Sequence, residues 1–158
     1  MNPSWVTGLL LAATAANGIA AGATLDQAIK QLPARRRIGA PAYLDYVRAA
    51  DMGNGLIWYP IMGVGTAALT LTAVVVGLLT HPTTVLAIAL VAAGAGTVAG
   101  GVTTARAAPT LLPLRHGEHT AEAVEAVLNR FATINALRAA AIVLTLAAAI
   151  WALAETTS

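Results

Sequence analysis

Three long stretches of the chain carry no charged side chain, and their lengths predict helices that cross a membrane. The stretches are residues 1–25, 52–105 and 139–154. Because a helix needs about 20 apolar residues to cross the hydrocarbon core, the first stretch fits one span and the second fits two, with a turn at 81–84. The third fits one only if that span begins before Arg138. We predict four spans, near residues 3–25, 56–79, 84–107 and 132–154.

The sequence also predicts where the helices begin and where they are connected. Asn2 and Pro3 favour a helix start and a retained first span rather than a cleaved signal peptide. The second helix is expected to run from Pro41 without a break into its span, with a kink one turn before Pro60. The connections are assigned to residues 26–40, which are basic, and to residues 109–117, which contain prolines and a glycine.

The fourth helix is expected to begin with Thr120 as its N-cap and Glu122 in its first turn, and to run to about Glu155. Helices two and four are then longer than a bilayer requires. The predicted fold is all-α: an integral membrane, antiparallel four-helix bundle that forms a single domain over residues 1–158. Helices two and four extend from this bundle into the cytoplasm.

The composition agrees with a membrane protein and excludes several other classes. Hydrophobic residues make up 58% of the chain and charged residues 10%, whereas soluble domains carry about 25% charged residues. This excludes a soluble globular enzyme and a disordered chain. The net charge of +2 is too small for a protein that binds by releasing counterions, so we expect no nucleic-acid partner. Cysteine is absent, which excludes thiolate chemistry and disulfides.

The basic residues predict how the bundle is oriented. All nine Lys and Arg residues lie in two windows, residues 30–48 and 106–138. With four spans in a lipid bilayer, both windows face the same side, and the positive-inside rule makes that side the cytoplasm. We therefore expect both termini on the outer side of the cell membrane. Within the first window, Arg35, Arg36 and Arg37 are interpreted as a topology signal that contacts lipid headgroups.

Small residues recur within the spans at regular spacing. Helices in membranes pack closely where small residues lie four positions apart. Two pairs of glycines have this spacing, Gly18 with Gly22 and Gly96 with Gly100, and span two contains Gly63 and Gly65. Close helix packing is the main interpretation, and a ligand passage opened by glycines is the alternative.

The strongest polar groups of the four helices lie at a similar depth. They are Asn17, Asp51, Asn54, Thr104, Asn135 and Arg138. Since an unpaired polar group facing lipid is unfavourable, we expect them to face one another in the cytoplasmic half of the bundle. Arg138 is expected to contact Asp51 or Asn54, directly or through one water, and to border the main cavity. The alternative is structural, with interhelical hydrogen bonds and an Arg138 that reaches the headgroups.

Aromatic side chains are expected to complete this chamber. They are Trp58, Tyr59, Phe131 and either Tyr43 or Tyr46. An apolar chamber with a few convergent polar groups is typical of a small-molecule site, so the expected partner is a lipophilic small molecule. A metal site is a weaker candidate, at His116, His119 and Glu122. Because these residues sit in or next to a loop without further preorganised ligands, we expect no bound metal.

Several segments together resemble a known family. They are the glycine-rich first span, residues 43–54, an Ala-Pro-x-x-x-Pro run at 108–113, and residues 129–138. Nearly the whole chain is similar to the four-span, anthrone oxygenase-like membrane proteins, and Phe131, Asn135 and Arg138 are the sharpest element. The family often carries Trp where Thr133 or Ile134 stands here.

The resemblance implies an enzyme that uses O2 to oxidise a lipophilic aromatic or quinol-like substrate, as fungal members do with anthrones. It implies no cofactor, because an electron-rich substrate reacts with O2 once it is deprotonated. Asp51 would be the base, and Arg138, Asn135 and Asn54 would hold the enolate or phenolate. The other contacts with the substrate would come from Asn17, Trp58, Tyr59, Thr104 and Phe131.

Two other classes stay open. The four-span membrane enzymes of eicosanoid and glutathione metabolism have a similar length, and Arg48, Asp51 and Asn54 loosely match their second span. A non-enzymatic accessory subunit, or a carrier for a hydrophobic ligand, fits the same composition. The sequence does not determine the oligomeric state, and a homo-oligomer is compatible with it.

The orientation can be tested directly because the chain has no natural cysteine. The variant Arg36→Cys should react with a membrane-impermeant maleimide only after the cells are opened, since we place residue 36 in the cytoplasm. Ser158→Cys, at the C-terminus, should react in intact cells and serves as the control. Labelling of Arg36→Cys from outside would reverse the predicted orientation.

Overall fold

The computed structural model describes residues 4–157 and contains four long helices. Helix α1 spans Ser4–Ile38, α2 spans Ala40–Leu79, α3 spans Thr84–Leu114 and α4 spans Ala121–Thr157. No strand occurs within this described part of the chain. Each helix is long and apolar enough to cross a membrane, so the prediction of an all-α bundle is confirmed. The predicted helix start at Asn2 and Pro3 lies outside the described residues.

The helices pack in a ring, in which each contacts its two neighbours. α1 packs against α2 and α4, and α3 packs against the same two helices. The α3–α4 contact is the most extensive of the four, and the α2–α3 contact is the least extensive. The short connections at Gly39 and at residues 115–120 define the basic end of the bundle. Ser4, the 80–83 turn and Thr157 define the terminal end.

The connection between α1 and α2 is a single glycine rather than the predicted segment 26–40. Residues 27–38 continue α1, first as a π turn over Gln27–Gln31 and then as an α-helix over Leu32–Ile38. Gly39 then adopts φ 85° and ψ 154°, a conformation that glycine reaches without a steric penalty. Its N–H donates to the Arg35 carbonyl, and its own carbonyl accepts from the Tyr43 N–H. One residue therefore ends one helix and starts the next.

The irregularities in α2 and α3 also differ from the prediction. α2 is interrupted over Ala50–Asn54 by a π turn in which Gly53 leaves helical geometry, with φ −93° and ψ −111°. The prediction of an unbroken helix is therefore wrong, because the backbone leaves helical geometry at Gly53. The kink expected one turn before Pro60 stays a prediction. α3 continues through Pro109 to a final 3-10 turn over Leu112–Leu114, so the predicted loop begins later than expected.

The start of α4 follows the prediction. The Thr120 hydroxyl accepts a hydrogen bond from the Ala123 N–H at 3.3 Å, which is the N-cap interaction. The connection before it is held by Arg48 of α2. The guanidinium of Arg48 donates to the carbonyls of Leu114 and Gly117 at 2.9 and 2.6 Å. This pair of bonds ties the first part of α2 to the α3–α4 connection.

Two separate clusters of buried hydrophobic side chains hold the bundle together. The basic-end core consists of Leu32, Ala40, Tyr43, Leu44, Val47, Met52, Ala107, Leu111, Leu114, Val124, Leu128 and Phe131. The terminal-end core consists of Val6, Leu10, Ala13, Ala73, Val74, Leu86, Ala89, Leu90, Ala93, Ala148 and Ala152. Most of the favourable burial therefore lies at the two ends of the bundle.

Only some of the glycine pairs bring helices together. A Cβ at Gly96 would collide with the Thr145 side chain of α4, and one at Gly77 would lie 2.9 Å from Leu90. At Gly18 and Gly22, by contrast, an added Cβ would meet no atom within 4 Å. The same is true of Gly63 and Gly65. Close packing is thus observed for span three, but the expectation is wrong for these glycines of spans one and two.

The three consecutive arginines of α1 do not act alike. Arg35 is buried, and its guanidinium donates to the Leu128 carbonyl at 2.8 Å and to Asn129 Oδ1 at 2.6 Å. Its Nε also lies 3.6 Å from Glu125 Oε1. The interpretation of Arg35 as a headgroup contact is therefore wrong, because its side chain joins α1 to α4. Arg36 and Arg37 are exposed.

We predict that Arg35→Met lowers the free energy of unfolding by about 2 kcal/mol, because buried hydrogen bonds to a charged group are lost. The matched variant Arg36→Met should change it by less than about 0.5 kcal/mol. Equilibrium unfolding in mixed micelles, followed by circular dichroism, measures both. Equal effects of the two variants would contradict a special role for Arg35.

Candidate functional site

A cavity of about 620 Å³ lies between the two cores. All four helices contribute to its walls. The lining residues are Asn17, Ala20 and Gln27 of α1; Asp51, Met52, Gly55, Leu56, Tyr59, Pro60, Gly63, Val64, Thr66 and Ala67 of α2; Gly96, Thr97, Gly100, Gly101, Thr104, Ala105, Ala108, Leu111 and Leu112 of α3; and Phe131, Arg138, Ile142 and Thr145 of α4. Most of this wall is apolar or small, which suits a lipophilic ligand.

A chain of hydrogen bonds crosses the cavity near the basic end. Arg138 Nη2 donates to Gln27 Oε1 at 2.7 Å and to Asn135 Oδ1 at 2.6 Å. The amide nitrogen of Gln27 donates to Asp51 Oδ2 at 3.4 Å. The Tyr59 hydroxyl donates to Asp51 Oδ1 at 3.0 Å. We call Gln27, Asp51, Tyr59, Asn135 and Arg138 the polar cluster.

Gln27 lies between Arg138 and Asp51, for which we expected a contact made directly or through one water. Among the described residues, no hydrogen bond or ion pair joins Arg138 to Asp51 or to Asn54. Arg138 does border the cavity, but the Gln27 amide bridges it to Asp51. The prediction missed Gln27 because it ended the first span at residue 25. A helix continued past that point would place Gln27 one turn after Thr24, on the polar face of α1.

Both Gln27 and Asp51 lie in π turns. These turns cover Gln27–Gln31 in α1 and Ala50–Asn54 in α2. A π turn inserts one extra residue into a helix and shifts the direction of the side chains that follow it, and such turns occur often at functional sites. The two irregular segments therefore carry two of the five members of the polar cluster.

The same irregularity moves two predicted site residues out of the site. In an uninterrupted helix Asp51, Asn54 and Trp58 would share one face. The π turn and Gly53 break this register, so that Asn54 is exposed and Trp58 is 55% exposed, and neither lines the cavity. The structure therefore does not bring Asn54 and Trp58 to this cavity.

The other predicted aromatic residues divide in the same way. Tyr59 and Phe131 line the cavity. Tyr43 is buried within the basic-end core, and Tyr46 is largely exposed, with its hydroxyl donating to Gln31 at 3.1 Å. Neither of these two tyrosines contributes to the wall.

The far half of the cavity is less polar than its composition suggests. Asn17 lines it, but its amide nitrogen donates to the Ala13 carbonyl and to Thr70 Oγ1, at 2.9 and 2.8 Å. The hydroxyls of Thr97 and Thr145 there, and that of Thr104 nearer the polar cluster, donate to the carbonyl four residues earlier in their own helix. Donors that are already paired add little polarity, so the polar cluster dominates the chemistry of the site.

Two nitrogen atoms of the polar cluster are buried without a hydrogen-bond partner in the described structure. They are Asn135 Nδ2 and Arg138 Nε. Asn135 is 0% exposed. An unpaired buried donor costs about 1–3 kcal/mol, and the cost is recovered when an acceptor is supplied. The cluster can therefore bind an oxygen atom that carries negative charge.

The residues considered for a metal lie apart from this cavity. His116, His119 and Glu122 are exposed at the basic end, and the His119 ring contacts the His116 carbonyl. Among residues 4–157, no group of three or more His, Cys, Asp or Glu side chains is arranged to hold a metal ion. His119 lines only a shallow depression of about 320 Å³, together with Arg48 and Asp45.

Comparison with known proteins assigns this chain to no family. No protein-family model matches the chain, and neither a curated protein nor a solved structure matches it.

We predict that Gln27→Leu lowers the free energy of unfolding by about 2 kcal/mol, because Arg138 and Asp51 each lose a partner. Gln31→Leu is the matched control in the same helix. Gln31 bonds to Asp26 and Tyr46 at the surface, so its loss should cost less than about 1 kcal/mol. Unfolding in mixed micelles measures both variants. A smaller effect at Gln27 than at Gln31 would mean that the bridge does not stabilise the cluster.

Proposed function

We propose that this chain is an integral membrane enzyme that binds a lipophilic hydroxylated aromatic molecule in its cavity and oxidises it with O2. The observation that carries the proposal is the arrangement of one carboxylate and one guanidinium, separated by Gln27, at the polar end of an apolar cavity. The position in the membrane is supported by the outer surface, the kind of ligand by the cavity, and the reaction by the chemistry of the polar cluster.

The outer surface supports a position in the membrane. Large hydrophobic side chains are highly exposed along the helices, including Ile57 at 69%, Val64 at 70% and Leu144 at 68%. Surfaces of this kind are unfavourable in water and favourable in lipid. The Lys and Arg residues cluster toward the basic end, so we place that end in the cytoplasm and both termini outside.

The cavity supports a ligand with one polar end. Its volume is within the usual range for small-molecule sites, about 300–1,000 Å³. Arg138 lines one end of the cavity and carries a buried Nε without a hydrogen-bond partner in the described structure, so it would bind a phenolate or enolate oxygen. Asn135 is not a lining residue, and it accepts a hydrogen bond from Arg138 behind the cavity wall. Phe131 and the apolar walls of α2 and α3 would contact the ring system. Donors held in place before the ligand binds stabilise a developing negative charge strongly.

The reaction follows from the two charged groups. Asp51 would remove a proton from the CH2 group of an anthrone-like ketone, in which the CH2 and the carbonyl bridge the same two aromatic rings. The resulting enolate would place its negative oxygen near Arg138 and Asn135. O2 then oxidises this electron-rich anion: one oxygen atom becomes the new carbonyl, and the other leaves in water together with the two hydrogens of the CH2 group. The resemblance to anthrone oxygenases supports this reaction, and O2 is the oxidant.

The test uses the purified protein in nanodiscs, with anthrone as the probe and with O2 consumption and quinone absorbance as readouts. We expect a rate above that of empty nanodiscs. Asp51→Asn should lower the protein-dependent rate about 100-fold or more, since a general base contributes about 10²–10⁴. Arg138→Met should cost about 10²–10³, and Arg138→Lys should rescue it partly, because a point charge cannot replace the planar guanidinium.

Two exposed residues provide matched controls. Asp45→Asn and Arg130→Met remove the same charges outside the cavity and should leave the rate unchanged. Binding of anthrone without O2 consumption would favour a carrier over an enzyme. Saturable binding of glutathione that Arg138→Met abolishes would favour the glutathione-using class. No protein-dependent binding or rate would refute the proposal.

A further inference from the structure

The side of the cavity between α2 and α3 opens to the outer surface of the bundle. Several lining residues are exposed there, among them Leu56 and Val64 of α2 and Ala105 and Leu112 of α3. The two helices touch closely near the terminal end, where Leu90 fits against Gly77 and Val74 against Gly94. At the basic end Arg48 of α2 bonds to the Leu114 carbonyl of α3. Between these two regions the helices leave the cavity uncovered, which agrees with the small extent of their contact. We call this opening the α2–α3 gap.

Packed side chains close the cavity toward the basic end. Met52, Leu111 and Phe131 line the cavity and also belong to the basic-end core. Beyond them lie further fully buried members of that core, such as Val124 and Leu128. A molecule from the water at the basic end would have to displace this core to reach the polar cluster.

The terminal end is closed in a similar way. The hydrogen bond from Asn17 to Thr70 joins α1 to α2 directly beyond the cavity. Past it, Ala73 and Val74 of α2 pack with Ala148 and Ala152 of α4 in the terminal-end core. The described helices therefore leave the α2–α3 gap as the open side.

We infer that the ligand reaches the polar cluster sideways, from the hydrocarbon of the bilayer, through the α2–α3 gap. This inference rests on the proposed function in one respect, namely that the bundle lies in a membrane. It restricts the ligand to molecules that dissolve in the bilayer and carry one acidic hydroxyl or comparable oxygen. Permanently charged, water-soluble conjugates of the same molecule are excluded.

The walls of the gap suit the passage of an apolar molecule. A Cβ at Gly63 of α2 or Gly101 of α3 would meet no atom within 4 Å, so these glycines face free space. The hydroxyl of Thr104 in the wall is paired with the Gly100 carbonyl of its own helix. A ligand that passes here loses little hydration and breaks no hydrogen bond of the protein.

The depth of the polar cluster fixes the orientation of the bound ligand. Gln27 lies near the basic end of the cavity and Asn17 near its other end, ten residues away along α1, which corresponds to about 15 Å of helix. A ligand with its oxygen at Arg138 would therefore extend its apolar part toward the middle of the bundle. This is the same orientation that an amphiphile adopts in the adjoining lipid leaflet.

The experiment uses photolabelling in nanodiscs. The probe is a 4-alkylphenol with a diazirine on its alkyl chain, compared with a sulfonated analogue that stays in water. After brief illumination, mass spectrometry measures labelling of the α4 peptide that contains Arg138 and Ile142. We expect saturable labelling by the alkylphenol, competed by the same compound without the diazirine, and at least about ten-fold less by the sulfonate.

Two matched pairs of variants test the route. Ala105→Trp and Gly63→Leu place bulk in the gap, whereas Ala99→Trp and Gly65→Leu place the same side chains at exposed positions outside it. The first member of each pair should slow labelling about ten-fold, and the second should match the wild type. Helicity measured by circular dichroism checks that each variant folds. If a variant of one pair does not fold, the other pair alone tests the route.

The outcomes separate this inference from the proposed function. Equal labelling by the sulfonate, or wild-type labelling rates in both gap variants, would overturn access through the gap even if the protein oxidises anthrone. Saturable labelling that depends on the gap supports the inference even if no O2 is consumed. Absence of saturable labelling in the wild type would overturn both the route and the binding site.

Discussion

The structure at the centre of this bundle depends on keeping a buried guanidinium and a buried carboxylate apart while both stay hydrogen-bonded. Arg138 and Asp51 come from helices on opposite sides of the ring, and the Gln27 amide between them bonds to both. A direct ion pair would neutralise the guanidinium and the carboxylate mutually and leave neither group for a ligand. Gln27 accepts from one and donates to the other, so each keeps part of its hydrogen-bonding capacity for a ligand.

The irregular backbone follows from the same constraint. An amide from α1 and a carboxylate from α2 reach one point because each lies in a π turn, and Gly53 allows α2 to change direction beside it. The two cores then fix the helices on either side of this level. Arg35 and Arg48 add bonds from α1 to α4 and from α2 to the α3–α4 connection. Between the two cores, the polar cluster joins α1 to α2 and to α4.

The sequence was informative where a regular helical pattern continued and failed where it changed. The charge-free stretches predicted the four helices. The position of each polar residue along its span predicted that Asn17, Asp51 and Arg138 line one cavity. Asn54 and Trp58 were misplaced because the helical phase of α2 is lost at Gly53, and local propensity does not reveal a π turn. Gln27 was missed because a basic segment was read as a connection, although a single glycine with positive φ made the connection instead.

The separation of the two cores also has a consequence for how such a chain can change over evolution. Stability is concentrated in side chains at the ends, while Gly63 and Gly101 beside the cavity touch nothing that a larger side chain would displace. Substitutions there would reshape the chamber with little loss of stability, because they neither create a void nor overpack a core. A lineage could thus retain the bundle and the polar cluster while it explores new substrates one wall residue at a time.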